Sequence, residues 1–168
     1  MIMKDLVLLS ILFLVISNCS DNGLNFNLSE IEEDYSSIEN PKERWEAYQL
    51  KDYYIEQKWV CECLPPDNVR SYIVNNEIVK IELDDSNKSG EGDQSHQYSN
   101  QDYEDARFMS MSIDQAFRLI EENENTAHSI RVSYHPKFGY PTELYIDYSM
   151  NIADEETHHF FNNLKNIF

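Results

Sequence analysis

From Tyr53 to Cys63 the side chains alternate with a period of two, and that rhythm restricts the segment to a half-buried β-strand. Tyr53, Ile55, Trp59, Cys61 and Cys63 fall on one face, interrupted by the polar Gln57; Tyr54, Glu56, Lys58 and Glu62 fall on the other. Leu64-Pro65-Pro66-Asp67 ends the run, because proline removes a ladder donor. Residues 69–74 and 77–83 continue as strands about Asn75-Asn76. Asparagine tolerates positive φ, so the spacing predicts a two-residue hairpin. A sheet that is apolar on one side needs another layer to cover it.

Two helices are predicted to supply that layer. Asn40-Pro41-Lys42-Glu43 combines a capping residue, a proline at the first helical position and a capping-box glutamate, and opens a helix to about Leu50. Ser112-Ile113-Asp114-Gln115 repeats the box, and Ile113, Ala116, Phe117 and Ile120 recur at helical spacing up to about Asn125. Ile130, Val132 and Tyr134 then alternate with polar residues. A turn follows over residues 135–141, and Leu144, Ile146 and Tyr148 alternate again. The last segment is ambiguous: Phe160, Phe161 and Leu164 fit a helical stripe or a final edge strand, with the strand preferred. The expected fold is α+β, a small antiparallel sheet of five to six strands with two helices on one face. Two similar helix-strand-strand blocks hint at an internal duplication.

Ahead of this domain lies a different kind of sequence. Lys4 precedes a run over residues 6–16 that is apolar except for Ser10. Spanning a bilayer takes about 20 residues, so this shorter run reads as the core of a signal peptide over residues 1–18. Ile16-Ser17-Asn18-Cys19 resembles a bacterial lipobox, with Asn18 in place of the usual smaller residue. The resemblance implies cleavage before Cys19 and acylation there, and hence a bacterial envelope location with membrane lipid as a partner. Residues 19–39, polar and acidic, read as a flexible tether to a domain over 40–168. Residues 84–107, poor in apolar side chains, read as a mobile acidic surface loop.

Composition narrows the functions. Hydrophobic residues make up 41% of the chain, enough for a core. The net charge of −18 repels phosphate backbones and makes nucleic acid a poor partner. It also disfavours contact with anionic lipid unless the chain is tethered. Cys61 and Cys63 are the sharpest chemical feature, since alternate strand residues share a face. A disulfide between them is tight, because their Cα separation approaches the upper limit of about 6.8 Å. A structural pair, a strained redox bond and a metal role are the readings open to them. His158, His159 and the acidic residues 154–156 raise a metal-dependent hydrolase, yet the ligand spacing favours no metal and no cofactor. Tyr134, Phe138, Tyr140 and Tyr145 surround one turn, and aromatics so placed can form a contact patch for an envelope protein partner.

Several segments together resemble one family. They are Trp59-Val60-Cys61-Glu62-Cys63-Leu64-Pro65-Pro66, Ser112-Ile113-Asp114-Gln115-Ala116-Phe117, the stretch from Val132 to Pro141, and the stretch from Ile146 to Glu156. With Trp45 and the Asn75-Asn76 hairpin they are similar to the bacterial domain-of-unknown-function family 6174. The resemblance implies one domain from about Asn40 to Phe168, often in lipoproteins, and transfers no activity. The reading that results is a non-catalytic envelope binding module, with a thiol–disulfide protein using Cys61 and Cys63 as the alternative and the hydrolase third.

Overall fold

A computed structural model of the chain describes residues 24–60, 68–83, 99–152 and 155–168. In order, the elements are β1 (Leu28–Ser29), α1 (Pro41–Tyr48), β2 (Tyr53–Val60), β3 (Val69–Val74), β4 (Glu77–Leu83), α2 (Asn100–Met109), α3 (Ile113–Asn123), β5 (Ser129–Tyr134), β6 (Pro141–Asp147) and β7 (Thr157–Ile167). The described strands form one seven-stranded antiparallel sheet in the order β4-β3-β2-β7-β6-β5, with β1 paired to β7. Among the described residues the architecture is α+β, with seven strands where five to six were expected and three helices where two were. Among the described residues no helix is long and apolar enough to cross a membrane.

The helices begin where side chains replace missing backbone partners. Asn40 accepts from Glu43 N at 3.1 Å, so half of the expected box forms at α1. Both bonds of the box form at α3, where Ser112 Oγ accepts from Gln115 N and Gln115 Oε1 from Ser112 N. The β3–β4 hairpin turns at Asn75 and Asn76, whose φ values of 52° and 64° are those of the predicted turn.

The three described helices lie on one face of the sheet. Trp45 of α1 and Ile113, Ala116, Phe117 and Ile120 of α3 close over Tyr53, Ile55, Ile73, Leu144, Ile146 and Phe161. Ala106 of α2 packs with Val69 and Leu83 at the β4 side. The two halves share an element order of helix then three strands, but the duplication hint does not survive the topology. Superposing β2, β3 and β4 on β5, β6 and β7 would shift the sheet by three strands and reverse strand direction. A rotation that does both exchanges the sheet's faces and would set α1 and α3 on opposite sides.

Three further expectations are corrected. The final segment is a strand, but a central one, bonded to β2 on one side and to β6 on the other. Its helix-like spacing comes from a bulge. Tyr54 pairs with Lys165 and Glu56 with Asn162, so Ile55 faces two residues of β7, and Asn163 sits at φ 54°. The extra residue keeps both Phe161 and Leu164, three apart, on the core side. Secondly, the end of the stretch read as a mobile loop over 84–107 is α2, which opens with a capping box between Ser99 and Asp102. Thirdly, the described part of the 19–39 tether is docked. Leu28 and Ser29 pair with β7, Phe26 stacks on Tyr72 at 5.1 Å, and Ile31 is buried in the core. Phe26 and Ile31 each find a packing partner, which the polar composition around them obscured.

Candidate functional site

The four aromatics expected to form a contact patch are split between the two sides of the sheet. Tyr140 is only 2% exposed and lies edge-on to Trp45 at 6.3 Å. Its burial raises the phenol to about 12. Tyr134 stacks over Phe117 at 6.2 Å, and Phe138 meets Tyr48 edge-on at 5.3 Å. These three pack the β5–β6 turn against the helices, Tyr140 as buried core and Tyr134 and Phe138 half-buried against it. Tyr145 faces away, because Leu144 and Ile146 on either side of it point inward.

The turn itself is held by His135 and Gly139. His135 Nδ1 lies 3.2 Å from the N–H groups of both Lys137 and Phe138 and accepts from them. Burial, and then the charge of Lys137, hold this imidazole below its ordinary range. Gly139 has φ 80° and presses against Pro41 O of α1.

His158 and His159 are adjacent in β7, so they point to opposite faces and cannot share a metal. Among the described residues no group of three or more histidines, cysteines, aspartates and glutamates could hold a metal ion. His158 Nε2 pairs with Glu143 Oε1 at 2.8 Å. His159 is 4% exposed, tilted over Trp59 at 4.5 Å. Cys19, Cys61 and Cys63 lie outside the described residues.

His159 belongs to a polar end of the core. Gln57 Oε1 accepts from Met111 N at 3.0 Å, while Gln57 Nε2 and Trp59 Nε1 have no partner among the described residues. A recess of about 10 Å³ lies among Gln57, Trp59 and His159. That is room for about one water, which two N–H donors and an imidazole nitrogen can bind. Burial, and then the nearby charge of His158, push His159 down to about 4.

The consequence has a definite sign. The folded state keeps His159 neutral, whereas the unfolded chain takes up a proton near pH 6.5. Its contribution is complete above pH 6.5 and is lost as pH falls toward 4, by about 3 kcal/mol at the limit. Urea melts of the wild type and His159→Phe across that window should therefore show a steeper loss in the wild type. Parallel pH profiles would show that His159 is not held neutral.

Among the described residues the other side of the sheet carries no helix. Across β5, β6 and β7, Arg131 lies over the Tyr145 ring at 4.0 Å, Tyr145 meets His158 edge-on at 5.7 Å, and His158 lies against Phe160 at 4.2 Å. Lys58 of β2 is the cross-strand partner of Phe160. Cations and aromatic faces in contact across three strands make a ladder that is partly exposed and chemically mixed. This ladder is the candidate site. Its members occupy the outward positions of each strand's alternation, but joining them required β7 to be placed beside β6. At one end the same face is crossed by residues 24–28, where Tyr54, Tyr72, Ile167 and Phe26 form a second small cluster.

The model of a family described as "Family of unknown function (DUF6174)" matches the chain over residues 37–166. No curated protein and no solved structure matches the chain.

Proposed function

The chain belongs to the DUF6174 family, whose function is unknown, and we propose that it is a membrane-anchored bacterial envelope lipoprotein whose domain binds rather than catalyses. The observation that carries the binding part is the uncovered sheet face, on which Arg131, Tyr145, His158 and Phe160 touch one after the next. Among the described residues the helices cover one side only, which leaves the second side available to a partner.

The histidines support a non-catalytic reading, since each of three has a structural occupation. His135 accepts two backbone donors, His158 pairs with Glu143, and His159 is buried neutral. The anchoring part rests on the apolar run before Ile16-Ser17-Asn18-Cys19. Several acyl chains at one cysteine hold a protein durably, because each buried CH₂ contributes about 0.8 kcal/mol.

Fractionation of cells expressing the full chain tests this. The wild type should stay with membranes through high salt and alkaline carbonate, and Cys19→Ser should be released or retained as an uncleaved precursor. A wild type that washes off with salt would refute the anchor.

A further inference from the structure

We propose that the uncovered sheet face is turned toward the bilayer and rests on phospholipid headgroups, with the helices facing away. This rests on the acylated Cys19 of the reading above and names the partner of the open face.

The first argument is the length of the leash. Leu24 lies on the open face, where its carbonyl oxygen accepts from Lys80 Nζ at 3.3 Å and Phe26 stacks on Tyr72 two residues later. Cys19 is five positions before Leu24. Five residues reach at most about 18 Å. A helix layer sits about 10 Å from the sheet plane, and its far surface is some 5–6 Å further. A segment lying on the open face adds about 5 Å on the opposite side. With its helices against the bilayer, the domain would hold Leu24 about 20 Å away, beyond the leash. With the open face down, Leu24 is already at the surface.

The second argument is the distribution of charge. The three helices carry eight carboxylates, Glu43, Glu46, Asp102, Glu104, Asp105, Asp114, Glu121 and Glu122, against Lys42, Arg44, Arg107 and Arg118. Residues 32–34 add Glu32, Glu33 and Asp34 to the chain that leads into α1. By register the open face carries Lys58, Arg70, Lys80, Arg131 and Lys165 against Glu56, Glu77, Glu82, Glu143 and Asp147. Glu30, paired with Lys165, joins that face, and five cations against six carboxylates leave it close to balance on a chain of net charge −18. Anionic headgroups therefore repel the helix layer and accept the sheet. Tyr145 and Phe160, flanked by cations, suit the headgroup level, where an amphipathic ring meets both phases.

Lysine footprinting tests the orientation. The acylated full chain is reconstituted on phosphatidylethanolamine vesicles containing a minority of phosphatidylglycerol. Its acetylation rates are compared, residue by residue, with those of the unacylated Cys19→Ser chain in solution. Lys58 and Lys165 should react several-fold more slowly on vesicles, and Lys42 on α1 should be unchanged. The double variant Lys58→Glu, Arg131→Glu should weaken the protection at Lys165. Equal rates at Lys58 in the two samples, or protection of Lys42 in its place, would overturn the orientation while leaving the anchor intact. Wild-type chain that does not float with the vesicles would instead remove the anchor, and the orientation with it.

Discussion

Gly139→Ala is expected to lower the stability of the domain by about 2–5 kcal/mol. Two costs act at the same atom. Gly139 adopts φ 80°, where an L side chain is strained by about 1–2 kcal/mol. A Cβ there would stand 2.2 Å from Pro41 O and 3.0 Å from Arg44 Cβ. The first of these is backbone at the start of α1, so relief requires the helix to move. Arg44 resists that movement: its Nε donates to Ile38 O at 2.7 Å and its Nη1 to Pro136 O at 2.6 Å. Forcing side-chain atoms into such a contact costs roughly 1–3 kcal/mol. A domain of ordinary stability has about 5–15 kcal/mol in total, so much of the margin would go. Urea denaturation should show a lower midpoint with an unchanged slope. A loss under about 1 kcal/mol would mean that the β5–β6 turn and α1 are not in contact as described.

Trp45→Ala is the second large effect, about 3–5 kcal/mol. Trp45 is 3% exposed and stands edge-on to Tyr53 at 5.4 Å and to Tyr140 at 6.3 Å. It therefore ties α1 to β2 and to the start of β6. Its indole Nε1 donates to Asp114 Oδ1 at 2.9 Å, and Asp114 Oδ2 accepts from Asn76 Nδ2 at 2.7 Å. One carboxylate thus joins α1, α3 and the β3–β4 hairpin. Truncation opens a cavity and leaves one of these oxygens without its donor. Trp45→Phe separates the terms, because it keeps most of the ring contact and loses the hydrogen bond, for about 1 kcal/mol beyond the repacking. Thermal and urea melts that place Trp45→Ala within about 1 kcal/mol of the wild type would contradict this packing.

The elements that the residues announce locally are the ones that formed as expected. Asn40-Pro41, Ser112 to Gln115 and Asn75-Asn76 act through hydrogen bonds or φ preferences within a few positions, so one chain suffices to read them. The misses are long-range. Phe161 and Leu164 sit three apart because of a bulge whose cause is the register of β2 against β7. Ser99 and Asp102 are a capping box inside a stretch of low hydropathy, and the single Ala106 that α2 buries was too little apolar signal to lift the helix out of it. The candidate site was legible residue by residue and not as a whole. Tyr145 was grouped with its neighbours along the chain, Tyr134, Phe138 and Tyr140. Its actual neighbours, Arg131 and His158, come from flanking strands.

One assumption joins the anchor, the short leash and the orientation of the sheet, namely that mature chain starts at a lipidated cysteine. Intact-mass spectrometry of protein extracted from membranes measures this directly. The expected species begins at Cys19 and carries a diacylglyceryl group on sulfur and a further acyl group on nitrogen. A species that retains Met1 and bears no fatty acid would contradict the anchoring and the membrane-facing sheet together.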